Sequence, residues 1–259
     1  MNNTSINISA QMYSDAVQVY TDVSEICDQL KIPYVVVGAS ARDIVLHFGH
    51  GAKIQRATTD IDFGIQVPNW NAFQLLKQAL LSRDFKETRQ QHNLVSAAGV
   101  PIDIVPFGQL KDDNANISWP PDGDRVINVL GFQEACVNAE IVRVQDNPPI
   151  DIPVATPEGM AVLKLIAWTD RSAEMRSKDA KDLLYLFTTY HHIPKVKDLI
   201  YDNEELMETY DWDIELASAQ QLGKDARNIA QEQTCTTIEA LLNGNHEKLM
   251  GAFVKGFGC

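Results

Sequence analysis

Apolar residues recur at helical spacing in two stretches of the first 90 residues. Between residues 12 and 30 they repeat every three or four positions, which predicts an amphipathic helix. The same spacing predicts a helix over residues 70–81, and a shorter helix is expected over 41–48. Pro33 follows the first of these helices and Pro68 precedes the helix at 70–81, as expected for residues that interrupt regular structure.

Short apolar or alternating runs separate these helices and predict strands. Residues 34–37 are apolar throughout, which is typical of a buried strand, whereas residues 60–67 alternate acidic and apolar side chains before Pro68. A hairpin is expected to turn at Ala98-Gly99, and the polar stretch 111–124 is predicted to be a loop. The predicted strands cover 34–37, 60–67, 94–97, 102–107, 126–129 and 140–144.

The pattern changes at residues 146–149, an Asp-Asn-Pro-Pro sequence. Beyond it helical spacing continues almost to the end of the chain. Thr156-Pro157-Glu158 has the composition of a helix start, with an N-cap threonine, proline at the first helical position and an acid in the first turn. A strand-rich front and a helical back predict an α+β fold, with one domain at 1–150 and a helical C-terminal domain at 151–259.

Charge and cysteine content narrow the class of protein. The formal net charge is −13 and the sequence pI is near 4.8, which argues against a general nucleic-acid coat protein. The four cysteines are far apart without a C-x-x-C pair, as expected for free thiols in a reducing compartment. A polar N-terminus and the lack of any run of 18 apolar residues predict a cytoplasmic protein that does not enter a membrane.

Three aspartates form the strongest candidate site. Asp60 and Asp62 are two apart on a predicted strand, so their side chains leave the same face and repel each other unless a cation lies between them. Mg²⁺, or Mn²⁺ in its place, is the cation that such a pair is expected to bind, with substrate phosphates as further ligands of the metal. Asp103 has apolar neighbours; if its strand pairs with the Asp60 strand, it completes the metal site or acts as a base toward an incoming hydroxyl.

A turn between the first predicted strand and helix supplies a candidate phosphate site. Gly38 lets a phosphate approach the backbone, and Ser40 is expected to cap the helix and bind a phosphate oxygen. The free N–H groups and dipole of the helix start favour anions. Arg42, in the first turn, either reaches the same phosphates or pairs with a neighbouring acid.

Each motif also has a purely structural interpretation. An Asp-x-Asp pair at a strand edge is common on solvated faces, and Gly38-Ala39-Ser40 is compatible with an ordinary turn. Residues 178–182, Lys-Asp-Ala-Lys-Asp, fit a charged helix surface equally well. The ordered combination of turn, acid pair and later acid favours a functional site.

That combination resembles the polymerase-β-type nucleotidyltransferase superfamily. The matching segments are Val37-Gly38-Ala39-Ser40, Thr59-Asp60-Ile61-Asp62-Phe63 and Ile102-Asp103-Ile104, although the second glycine of the usual Gly-Gly-Ser/Thr turn is replaced by alanine. The resemblance implies a mixed sheet flanked by helices, with residues 1–150 as the catalytic core. It also implies that the turn holds a triphosphate and that the three aspartates bind metal during transfer of an NMP group with release of pyrophosphate.

A second resemblance narrows the branch. Over roughly residues 30–190 the sequence is similar to the abortive-infection toxin-type (AbiEii-like) nucleotidyltransferases. The residues that carry this similarity are Lys164, Arg171 and Arg176, followed by Lys178-Asp179-Ala180-Lys181-Asp182-Leu183. The resemblance implies that Lys164 contacts the triphosphate and that Asp179 orients a basic residue. It further implies a toxin-like role with an antitoxin protein as partner.

The function predicted from the sequence is therefore a metal-dependent nucleotidyltransferase. Its donor is ATP or another NTP, and its acceptor hydroxyl belongs to an RNA, a protein or a small molecule. Two alternatives stay open: a small-molecule enzyme of the antibiotic-modifying type, and a non-catalytic nucleotide-binding module of the same fold.

Overall fold

A single mixed sheet organises the front of the molecule. The computed structural model describes residues 6–54, 58–120, 126–170, 173–244 and 248–258. The strands are β1 (Ile6–Asn7), β2 (Tyr34–Val37), β3 (Ile61–Val67), β4 (Lys86–Glu87), β5 (Asn93–Val95), β6 (Pro101–Gly108), β7 (Asn116–Ser118), β8 (Val126–Asn128), β9 (Glu140–Asp146) and β10 (Pro149–Val154).

Eight of these strands form the main sheet, in the order β1-β9-β10-β2-β3-β6-β5-β4. The centre of the sheet combines an antiparallel pair, β2 with β3, and a parallel pair, β3 with β6. The strand of Asp62 therefore pairs with the strand of Asp103, which meets the condition for Asp103 to complete the site. β7 and β8 form a separate antiparallel hairpin.

Helices cover the sheet and make up most of the chain after residue 156. They are α1 (Ser14–Leu30), α2 (Gly38–Arg42), α3 (Trp70–Leu81), α4 (Phe132–Val137), α5 (Pro157–Asp170), α6 (Ala173–Thr189), α7 (Pro194–Asp202), α8 (Glu204–Thr209), α9 (Ile214–Ile229), α10 (Glu232–Leu241) and α11 (Lys248–Phe257). α2 runs on as a π-helical segment, Asp43–Gly49. The predicted α+β class, with a mixed sheet and a helical C-terminal part, is confirmed.

The hydrophobic core is continuous from the sheet into the C-terminal helices. Strand residues such as Val35, Phe63 and Ile104 are fully buried, as are Leu222 of α9 and Phe253 of α11. In α5 the residues that face the core include Ala161, Val162 and Leu165. α5 thereby packs on the core while its other residues remain available to the site described below.

The structure corrects the prediction for residues 146–154. These residues form the turn of the β9–β10 hairpin and then β10, which pairs antiparallel with β9 and, through Val154, parallel with Val36 of β2. Pro149 and Pro153 concealed the strand, because proline donates no hydrogen bond to a ladder. The division into 1–150 and 151–259 stays a prediction, but the polar stretch that suggested it is a hairpin turn.

Two further elements, β7 and α4, were not predicted from the sequence. β7 lies within the stretch 111–124 that was predicted to be irregular; residues 121–125 of that stretch lie outside the described residues. α4 has only six residues and begins after Gly131, whose φ of 83° supplies the turn without a capping side chain. In the part of the chain that the structure describes, no helix is long and apolar enough to cross a membrane.

Candidate active site

The three predicted aspartates meet at one end of the central strands. Asp62 lies opposite Val37 of β2 and opposite Asp103 of β6, so strand register alone brings Asp62 and Asp103 side by side. Asp60 directly precedes β3, two residues before Asp62 on the same face. One carboxylate oxygen from each aspartate lies within 4.8 Å of the others, and all three side chains are partly exposed.

This arrangement is unfavourable without a cation. The pKa of Asp62 is raised to about 7, first by burial and then by the neighbouring charges of Asp60 and Asp103, while Lys164 and Lys178 act in the opposite direction. Oxygen ligands that converge on one point and repel one another are the donor set of a hard divalent cation. The residues present therefore fit Mg²⁺ or Mn²⁺.

Gly38 makes the close approach of β2 to the aspartates feasible. Its φ is +70°, a conformation that glycine adopts without strain. A Cβ atom at this position would lie 2.0 Å from Oδ2 of Asp62, well inside the van der Waals limit. The turn therefore has no room for a side chain between the backbone and the carboxylate.

We expect Gly38→Ala to displace the Asp62 carboxylate and to strain the turn. The positive φ alone costs on the order of 1 kcal/mol for a non-glycine residue. Transfer activity should fall much further than stability, because the displaced group is a candidate metal ligand. Chemical denaturation and NTP turnover measure the two effects, with Gly51→Ala as control: Gly51 has a similar φ of +72° but open space around its Cβ position. Equal losses of activity in both variants would contradict this role of Gly38.

Ser40 does not occupy the predicted capping position. α2 begins at Gly38, with Val37 as N-cap residue and no side-chain cap, so Ser40 lies inside the first turn. Its hydroxyl donates to the carbonyl of Val37 at 3.2 Å, and the side chain is buried. The expectation that Ser40 caps the helix is wrong, because the left-handed Gly38 already turns the chain into the helix. Gly38 and Ala39 line the cleft described below, and Ser40 is not among its lining residues.

Of the two roles that the sequence left open for Arg42, the structure shows pairing with acidic residues. Arg42 is 2% exposed, and its guanidinium donates to Asp43 at 2.7 and 2.9 Å and to Asp182 of α6 at 2.8 Å. The same group lies over the ring of Tyr185, 5.1 Å from its centroid. Arg42 also lines the cleft, but its charge is already balanced by two buried carboxylates.

Lys164 of α5 is held by two aspartates of α6, the helix that also carries the Asp182 partner of Arg42. Its ammonium group donates to Asp179 at 3.1 Å and to Asp182 at 2.7 Å. Asp179 is fully buried behind Lys164, whereas Asp182 reaches the cleft and contacts both Lys164 and Arg42. Sequence reasoning did not single out Asp182, although its spacing of three from Asp179 places both on one helix face.

These groups line a cleft of about 540 Å³, a size suited to a small molecule such as a nucleotide. Its polar wall contains Gly38, Arg42, the three aspartates and Lys164, and its apolar wall is formed by β8, α5 and neighbouring residues. The apolar residues include Ile127, Leu130, Phe132, Leu163 and Ala167. Lys178, an exposed cation on α6, also lines the cleft and was not among the predicted site residues.

Comparison with known sequences gives one family. The sequence profile described as "Nucleotidyl transferase AbiEii toxin, Type IV TA system" matches residues 26–234. That range includes all of the cleft residues named above. No curated protein sequence matches the chain.

Solved structures with similar backbones are distant in sequence. The antibiotic-resistance factor ANT(2'')-Ia has 12% identity over 77% of this chain and 98% of its own, with a TM-score of 0.41. An antigenic nucleotidyltransferase-like protein from Paracoccidioides brasiliensis has 16% identity over 76% of this chain and 93% of its own, with a TM-score of 0.42. The Thermotoga maritima CCA-adding enzyme, solved with tRNA, has 13% identity over 95% of this chain and 80% of its own, with a TM-score of 0.28.

Proposed function

The chain belongs to the AbiEii family of nucleotidyltransferase toxins, and on that premise we propose that it uses a divalent metal to move an NMP group from an NTP to an acceptor hydroxyl. The observation that carries the proposal is the convergence of Asp60, Asp62 and Asp103 on the wall of a nucleotide-sized cleft. A merely solvated acid pair would not need the third carboxylate, which comes from a different strand.

Asp60, Asp62 and Asp103 are the residues that would hold the metal. When bound, Mg²⁺ or Mn²⁺ supplies positive charge to the phosphate oxygens and to the leaving group. Without it, the burial of Asp62 and the neighbouring charges of Asp60 and Asp103, which raise the pKa of Asp62, oppose full ionisation of the site. Metal and triphosphate are therefore expected to bind cooperatively.

The reaction requires one bond to form and one to break. The acceptor oxygen bonds to the α-phosphorus of the NTP while the bond from that phosphorus to the bridging oxygen breaks, and pyrophosphate leaves. Asp103 is proposed to accept the proton of the acceptor hydroxyl, since it flanks the acid pair from the neighbouring strand. It serves in this role in addition to, or in place of, ligating metal.

The other cleft residues are proposed to bind and orient the triphosphate. The backbone at Gly38 is open to a phosphate because no side chain covers it. Lys164 is fixed in place by Asp179 and Asp182, so its ammonium group needs little reorganisation to stabilise developing charge. Lys178 adds an exposed cation on the same side. Arg42 is proposed to act mainly by holding Asp182 in place, and its attraction for the phosphates is proposed to be weaker.

The acceptor and the biological setting are proposed on family membership. The acceptor is a hydroxyl of an RNA, a protein or a small molecule, and an antitoxin is the expected partner of a type IV system. Cys27, Cys136 and Cys235 are free thiols, as expected in the cytoplasm.

Titration of each of the four NTPs into the protein, with Mg²⁺ and with a chelator, tests the proposal. We expect at least one NTP to bind with Mg²⁺ and to lose most of its affinity in the chelator or in Asp60→Ala. Calorimetry measures the binding and circular dichroism checks the fold of the variant. A suitable control is Asp198→Ala, which removes an exposed aspartate on α7 that does not line the cleft.

Two results would oppose the proposal. If no NTP binds folded wild-type protein in Mg²⁺ or Mn²⁺, the nucleotide site is absent. If an NTP binds equally well with the chelator and in Asp60→Ala, the cleft binds nucleotides without the metal chemistry. The second result would favour the non-catalytic binding module.

A further inference from the structure

We propose that Asn93 is a positioning residue that fixes the carboxylate of Asp103 for nucleotidyl transfer. This inference rests on the proposed function, in which Asp103 ligates metal or accepts a proton. Asn93 belongs to β5, the strand on the far side of Asp103 from the acid pair. Its amide Nδ2 donates to Oδ1 of Asp103 at 2.8 Å.

Strand register places the two side chains together. Asn93 lies directly opposite Asp103 in the antiparallel β5–β6 pair. The backbone N–H of Ile104 donates to the carbonyl of His92 at 2.8 Å, so residues 92 and 104 are a hydrogen-bonded pair. Asn93 and Asp103 are consequently the next, non-hydrogen-bonded pair, whose side chains approach most closely.

The chemistry of the contact determines its direction. An ionised carboxylate only accepts hydrogen bonds, so the amide must present its NH₂ group. A partner on Oδ1 restrains rotation of the carboxylate about its Cβ–Cγ bond, which is otherwise a soft torsion. The plane of the Asp103 carboxylate is thereby fixed relative to Asp60 and Asp62. Hydrogen-bond partners of this kind orient the groups that ligate a metal.

Other contacts hold the hairpin without Asn93. Ser96 accepts the backbone N–H of Val100 at the turn, and Lys77 donates to the carbonyl of Gln91 at 3.1 Å. Leu94 is fully buried against the core. Loss of the Asn93 amide should therefore free the Asp103 carboxylate while β5 stays paired with β6.

The test compares Asn93→Leu, which keeps the branched shape at Cγ but has no donor, with Ser96→Ala in the same hairpin. Mn²⁺ binding is measured by electron paramagnetic resonance without nucleotide, and kcat and KM for the NTP are measured separately. We expect Asn93→Leu to weaken Mn²⁺ binding and lower kcat by about 10- to 100-fold, with a smaller change in KM. Ser96→Ala should alter stability but neither quantity. Asn93→Gln, which keeps an amide donor, should recover part of both losses and serves as the second folded variant.

The outcomes separate this inference from the proposed function. Wild-type protein that binds no Mn²⁺ would overturn the metal-dependent function itself, and the role of Asn93 with it. Normal Mn²⁺ binding and kcat in Asn93→Leu, with a normal wild type, would overturn only the positioning role. Equal losses in Asn93→Leu and Ser96→Ala would show that the hairpin, rather than the amide, supports Asp103, and would overturn it as well.

Discussion

Replacing Asp62 by asparagine is expected to abolish nucleotidyl transfer while making the metal-free protein more stable. Asp62 is the central carboxylate of the three, flanked by Asp60 before it and Asp103 on the next strand. Asparagine has the same shape but cannot offer a charged ligand. Because a bound metal stabilises the transition state by several kcal/mol, we expect a loss of roughly 1,000-fold or more in kcat.

The gain in stability follows from the pKa of Asp62, which is raised from 3.8 to about 7. The unfolded chain releases this proton near pH 4 and the folded protein only near pH 7, so the folded state binds more protons in between. The contribution of Asp62 to the stability of the metal-free wild type therefore falls as pH rises from about 4 to 7 and is then level. The carboxyl group is partly open to the cleft, so we expect Asp62→Asn to gain on the order of 2 kcal/mol at pH 8.

Urea denaturation with a chelator at pH 5 and pH 8, repeated with Mg²⁺, measures both effects. The stability difference between wild type and Asp62→Asn should grow with pH, and Mg²⁺ should stabilise only the wild type. A variant that is less stable than the wild type at pH 8 in chelator would show that the ionised Asp62 carboxylate is not destabilised by its burial and its acidic neighbours. A variant with normal turnover would exclude Asp62 from the chemistry.

Arg42→Met is expected to cause the largest loss of stability among the site variants. It removes a buried cation and leaves Asp43 and Asp182 buried without it, a change that typically costs about 3–5 kcal/mol. Asp43 still accepts a hydrogen bond from Thr58 and Asp182 one from Lys164, which favours the lower end of that range. Activity should fall too, because Asp182 helps to place Lys164.

Arg83→Met provides the matched control for this prediction. Arg83 also pairs with two acids, Asp22 and Glu25, but at the surface, where such pairs contribute about 0–1 kcal/mol. In urea denaturation, the free energy of unfolding should therefore fall several-fold more in Arg42→Met than in Arg83→Met. Similar small losses in both would indicate that the Arg42 pairs contribute no more than surface pairs.

The sequence predicted the strands that carry the acids because their patterns are local. β2 is apolar at each of its four positions, and β3 alternates about its acidic residues, so both were located within one residue. The sequence did not predict that Asp62 lies opposite Asp103, because the register between strands about forty residues apart is set by the whole sheet. β10 escaped because its prolines imitate a linker.

The environment of the basic residues was harder to predict. Arg42 and Asp182 are 140 residues apart, so no local spacing indicates that they pair. Lys178 and Asp182 lay in a charged segment with an equally good surface interpretation, and only the packing of α6 against the cleft distinguishes the two. Asn93 sits in a polar stretch where an amide is unremarkable until its partner across the sheet is known.

The wide separation of Arg42 and Asp182 has a consequence for synthesis of the chain on the ribosome. The turn and the three aspartates leave the ribosome first, well before α5 and α6 supply Lys164 and Asp182. Until then Arg42 lacks its distant carboxylate, and the nucleotide cleft has only one wall. A nascent or prematurely terminated chain that ends before α6 should be inactive. Active protein is therefore expected only after α6 has been synthesised, late in the translation of each chain.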